Sequence, residues 1–200
     1  MRLDRHNPVH RERWVRADLA IDPSQGITAP SFTEKHKDTF LVRGIIDRVD
    51  LIRDPIDGDI ILKIIDYKTS SAPMFKYSPS TNARILQEQF WQLKIYALLL
   101  REQYAHVEGY SVPFRSLRLM YLGGETPRAL DFDLGCTQEE RDLVLNGVHG
   151  ELAGVWRDIC ALVEGGDPRG FRHCDRGFCW CHKARSRFVP GSLWEKDMLH

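Results

Sequence analysis

The sequence predicts an α/β domain in which a small sheet is flanked by helices. Three observations carry this. Two strand-like runs, residues 39–52 and 60–69, are joined by a short turn. Residues 82–104 hold apolar side chains at helical spacing. Two further short strand-like runs then lead to a second helix with a recognisable start. With 200 residues, of which 42% are hydrophobic, a core is attainable without disulfides.

Residues 1–38 are polar and read as an N-terminal extension, with a short helix expected over residues 11–20 before Pro23, Gly26 and Pro30 interrupt. The run 39–52 is rich in Val and Ile and predicts a strand. Asp54-Pro55-Ile56-Asp57-Gly58-Asp59 predicts a turn, and 60–69 a second strand, so the pair forms an antiparallel hairpin. After a Pro- and Ser-containing loop, Leu86, Phe90, Leu93, Ala97 and Leu100 define the buried stripe of the first long helix. Residues 117–122 and 129–134 predict strands, split by Gly123-Gly124. Thr137-Gln138-Glu139-Glu140 is a capping signature for a helix reaching about residue 164. The core is thereby bounded at residues 39–165, with residues 166–200 left as a Cys- and Arg-rich tail.

The hairpin places charge where apolar side chains are expected. Alternation along the strands puts Leu41, Ile45, Val49 and Leu51 on one face with Asp47, and Ile60, Leu62 and Ile64 with Asp66 and Lys68. Arg48 and Asp50 fall on the other face and read as solvated residues. A hairpin centred between Ile56 and Asp57 sets Asp47 opposite Asp66. Two carboxylates forced together on a buried face require a cation or a shared proton. A divalent metal meets that need, and so does a structural ion pair with Lys68.

Gly44-Ile45-Ile46-Asp47-Arg48-Val49-Asp50, then Ile65-Asp66-Tyr67-Lys68-Thr69, then Gln92-Leu93-Lys94-Ile95-Tyr96 on the following helix, resemble the signature of the RecB-like branch of the PD-(D/E)XK nucleases. The resemblance is close over residues 39–105. It implies a restriction-endonuclease-like core, a small mixed β-sheet flanked by helices. It also implies a deoxyribonuclease of exonuclease-like type, dependent on Mg²⁺ or Mn²⁺ and acting on DNA in repair or recombination, with a helicase or other repair protein as partner. Asp47, Asp66 and the Tyr67 carbonyl would be metal ligands. Lys68 would orient the attacking water and stabilise charge on the phosphate, with Gln92 and Tyr96 beside it. Relatives carry an upstream helix whose acid or His completes the site; here His10, Glu12 and Glu34 are the candidates. A domain lacking that group would keep the fold and bind nucleic acid or act as a scaffold without cutting.

Many relatives also hold an iron–sulfur cluster through four cysteines. Cys174, Cys179 and Cys181 resemble three of them, with no cysteine before Cys136 to supply an upstream fourth. A zinc site completed by His173 or His182, or free thiols, are the alternatives. Cys136 and Cys160 are expected to be unligated, Cys160 on the buried face of a helix. From Arg169 to Phe188, six Lys or Arg stand against one Asp, interleaved with Phe171, Phe178 and Trp180. Arg172, Arg176, Lys183 and Arg185 are thus candidates for nucleic-acid contact.

The formal net charge is zero, so any polyanion must be held by local positive charge. No apolar stretch is long enough to span a bilayer. Five cysteines, an odd number, and no apolar leader lead to the expectation of a cytoplasmic protein.

Overall fold

The computed structural model describes residues 8–22, 38–53, 58–104 and 114–166. The chain divides into two compact units, Met1–Gly154 and Val155–His200. The first holds a five-stranded sheet: β1 (Pro8–Ala20), β2 (Thr39–Arg53), β3 (Ile60–Lys68), β4 (Phe114–Tyr121) and β5 (Arg128–Asp133). It also holds α1 (Pro79–Tyr104) and the first turns of α2 (Gln138–Glu164). Within the second unit, the described residues are the end of α2 and the two glycines after it.

The strands lie in sequence order. β1–β2, β2–β3 and β4–β5 are antiparallel, and β3–β4 is parallel. A parallel neighbour needs a crossover, and α1 supplies it. β3 sits in the middle, and Ile61, Leu62, Ile64 and Ile65 are all buried, as a strand covered on both faces requires. The stripe expected on α1 is buried at Phe90, Leu93, Ala97 and Leu100 and packs on Val15, Leu19, Phe40, Ile46 and Leu117 in one cluster. Each fully buried Leu there contributes roughly 2 kcal/mol by leaving water.

Both helix starts follow from short polar side chains. Ser78 precedes Pro79, and its Oγ accepts the Thr81 N–H at 3.3 Å. At α2, Thr137 Oγ1 accepts from Glu140 N at 3.2 Å while Glu140 Oε2 accepts from Thr137 N at 3.1 Å, a reciprocal capping box. Those backbone bonds hold the Glu140 carboxyl below its usual range. Arg101 of α1 donates to Asp142 and Asn146 of α2, and a His149 ring nitrogen bonds the Ala20 carbonyl.

Three expectations are corrected. Residues 11–20 form strand β1 rather than a helix, because Val15 and Leu19 alternate into the core and β2 needs an edge partner. On β2 the core takes Phe40 and Ile46, while Leu41, Ile45 and Leu51 are exposed. β2 alternates in one phase, with Phe40, Ile46 and Asp50 buried, and Val49 is buried on the opposite side. Finally, Asp50 is 0% exposed rather than solvated, and Arg48 grips both its oxygens at 2.7 Å. That fork raises the Arg48 pKa. Cys160 is half-buried, and Cys136 and Cys160 are free thiols.

Candidate active site

The hairpin register puts Arg48 opposite Ile65 and continues through Arg53 opposite Ile60. Extended by one residue, the same register sets Asp47 against Asp66. Pairing ends there, and Asp47 turns its side chain across the gap: its Oδ2 accepts the Tyr67 N–H at 2.8 Å. A carboxylate thus takes the bond a ladder carbonyl would otherwise make. The site lies where β2 and β3 part.

Asp66 is buried, and Lys68 Nζ approaches its Oδ2 at 2.7 Å. This is a close ion contact off the hydrogen-bonding directions, so that buried oxygen has no hydrogen-bond donor among the described residues. Burial raises the Asp66 carboxyl above its usual range; the Lys68 ammonium opposes the shift and Asp47 adds to it. Lys68 Nζ also donates to Gln92 Oε1 at 3.0 Å, and Gln92 Nε2 donates to Tyr96 Oη at 2.7 Å. The structure therefore links Asp66, Lys68, Gln92 and Tyr96 in one chain of contacts, with Asp47 beside it on the Tyr67 N–H. The Gln92–Tyr96 spacing of four residues places both on one face of α1.

Gly44 is needed for this arrangement. A Cβ there would lie 2.5 Å from Tyr96 Cε1. Gly44→Ala is expected to displace the tyrosine from Gln92 and loosen the Lys68 ammonium. In a double-mutant cycle with Tyr96→Ala, the two activity losses should be clearly less than additive; full additivity would count against the coupling.

Two groups beside the site were missed by sequence reasoning. Tyr121 of β4, the register partner of Lys68, is buried, and its hydroxyl donates to Gln89 Oε1 at 2.6 Å. Burial and the Asp66 charge raise its pKa. Gln89, Gln92 and Tyr96 form a polar line at i, i+3, i+7 on a helix otherwise apolar on that side, which was the available signal. Tyr67 is partly exposed, and its hydroxyl accepts from Arg48 Nη1 at 3.2 Å.

The donor set suits a divalent cation. Mg²⁺ takes one or two carboxylates with waters and phosphate oxygens, and Asp47 and Asp66 are two carboxylates close enough to feel each other's charge where β2 and β3 part. Among the described residues no group of three or more His, Cys, Asp or Glu is close enough to hold a metal. His10 and Glu12 on β1 therefore do not complete such a group, and Glu34 lies outside the described residues. So do Cys174, Cys179, Cys181, Arg172, Arg176, Lys183 and Arg185. No helix among the described residues is long and apolar enough to cross a membrane.

A mixed sheet crossed by one helix, with two carboxylates and a lysine at the parting of its central hairpin, defines a nuclease-type core. The sequence model of the PD-(D/E)XK nuclease superfamily matches residues 2–176, and the chain belongs to that superfamily. The match runs through all five strands and both helices, so the fold is the restriction-endonuclease-like one. No curated protein matches the sequence. Family membership carries nuclease chemistry on a DNA substrate, and divalent metals are typical of it.

Proposed function

We propose that this protein hydrolyses DNA phosphodiester bonds with Mg²⁺ or Mn²⁺, as an exonuclease-like member of the RecB-like branch. The observation that carries the reading is the contact chain Asp66–Lys68–Gln92–Tyr96 with Asp47 facing it across the parted strands. Asp47, Asp66 and the Tyr67 carbonyl would hold the ion, which supplies positive charge at the phosphate and a more acidic water. Lys68 orients the attacking water and stabilises charge growing on the phosphate oxygens. Gln92 accepts from the lysine ammonium and holds it in place, and Tyr96 fixes the amide. Burial raises the Asp66 carboxyl, so a cation beside it would favour its ionised form. Repair or recombination in the cytoplasm, beside a helicase or another repair protein, is the setting this chemistry fits.

The test is cleavage of labelled single- and double-stranded DNA with Mg²⁺, Mn²⁺ or EDTA, with Asp66→Ala alongside. Cutting that requires the metal and is lost in the variant is expected. A second reading, a silent DNA-binding domain of the same fold, is favoured by one observation: no third acid or His joins the two carboxylates among the described residues. Folded protein that binds DNA but cuts with neither metal would select it.

A further inference from the structure

The half of β2 before Asp47 pairs with β1 alone among the described residues, forming a two-stranded ribbon. One face of that ribbon is buried through Val15, Leu19 and Phe40. The other is exposed and is built from cross-strand pairs: Trp14 opposite Ile45, Arg16 opposite Arg43, and Asp18 opposite Leu41. Trp14 is 68% exposed, Leu41 58% and Ile45 40%.

Two features of this face call for a ligand. Opposed like charges on neighbouring strands destabilise a sheet, and neither Arg16 nor Arg43 has an ion pair among the described residues. Trp14, exposed beside them, offers an indole face for stacking. Guanidinium pairs contact phosphates and exposed indoles stack on bases. Two acids of β1 are exposed along it: Asp18 at the end remote from Asp47, and Glu12 two residues before Trp14 at the near end. From Ile45 it is two residues, roughly 7 Å, to Asp47.

We propose that the outer face of the β1–β2 ribbon holds the nucleic-acid strand flanking the scissile phosphate. Arg16 and Arg43 contact successive phosphates, and Trp14 stacks on a base, before the strand passes Tyr67 into the site. The inference rests on the nuclease reading and adds the path of the substrate. It also supplies the local positive charge that a chain of zero net charge must find to bind a polyanion.

The test is fluorescence anisotropy of labelled single-stranded and duplex oligonucleotides in EDTA, across a salt series, using the full chain. The Arg16→Gln/Arg43→Gln protein is expected to bind at least tenfold more weakly near 0.1 M salt. The slope of log affinity against log salt should shrink by about 1.4 for single strands and about 1.8 for duplex. Trp14→Ala should weaken binding about tenfold, more for single strands than for duplex. All three residues are exposed, so circular dichroism and melting should match wild type. Wild-type affinity and slope in the double variant would overturn the proposal. So would a dimer of the wild-type chain that Trp14→Ala dissolves, which would make this face a contact between copies. Cleavage is read separately: a double variant that cuts with unchanged affinity removes the surface and leaves the nuclease. A wild type that binds through these arginines and never cuts removes the nuclease and leaves the surface.

Discussion

Replacing Lys68 by alanine is expected to slow DNA cleavage by at least about a hundredfold, with folding and DNA binding retained. The lysine side chain is 31% exposed and contacts Asp66 and Gln92, so its removal opens no core cavity. What disappears is the ammonium that faces the Asp66 carboxylate and, in the proposed reaction, the phosphate. Arginine should not restore the rate, because a planar fork cannot occupy a point contact shared between a carboxylate and an amide oxygen. Single-turnover cleavage with saturating metal, beside anisotropy in EDTA, reads the two effects apart. A Lys68→Ala protein that cuts within a few-fold of wild type would remove the lysine from the chemistry.

The second large effect is expected at Gly123, which no catalytic argument singles out. Leu122 N donates to the Lys68 carbonyl at 2.8 Å, and Gly123 N donates to the Ser70 carbonyl at 3.2 Å. A Cβ on Gly123 would fall 2.3 Å from Thr69 O and 2.7 Å from Ser70 C. Those are backbone atoms and cannot swing aside as Tyr96 can, so the strand end carrying Lys68 must move. Gly123→Ala should cost about 1–3 kcal/mol. For a domain of this size that lowers the melting temperature by roughly 2–4 °C per kcal/mol. Cleavage should fall further than the loss of folded protein explains, because Lys68 is displaced in the molecules that do fold. Normal melting and normal cutting together would show that the close approach is relieved at no cost to the site.

Much of this architecture was readable from the chain because one physical signal dominated each element. The run Ile61-Leu62-Lys63-Ile64-Ile65 is a strand buried on both faces, and the turn before it fixed the register that leads to Asp47 against Asp66. The α1 stripe and the Thr137 capping box were equally direct. β1 was hidden because Arg, Glu and Ala are good helix formers. Its strand state comes from pairing with β2, which no local propensity encodes. The exposed positions of Leu41 and Ile45 were hidden because alternation shows which residues share a face and not which face meets the core. Arg48 and Asp50, two apart on a strand, share a face by simple counting, but their burial depends on what covers that face. At the site, the residue types and order were legible and the supports were not: the tight fit of Gly44 against Tyr96 exists only once α1 crosses the sheet.

The parting of β2 from β3 at Asp47 divides the strand's loyalties. Before that point β2 is laddered among the described residues to β1 alone, and the β1 ladder runs past the aspartate as far as Asp50, so the aspartate sits where the second ladder begins. β1 is thereby a splint for the active carboxylate. A chain trimmed to start at Thr39 would keep the residues resembling the nuclease signature, yet lose the brace that aims the first of its acids.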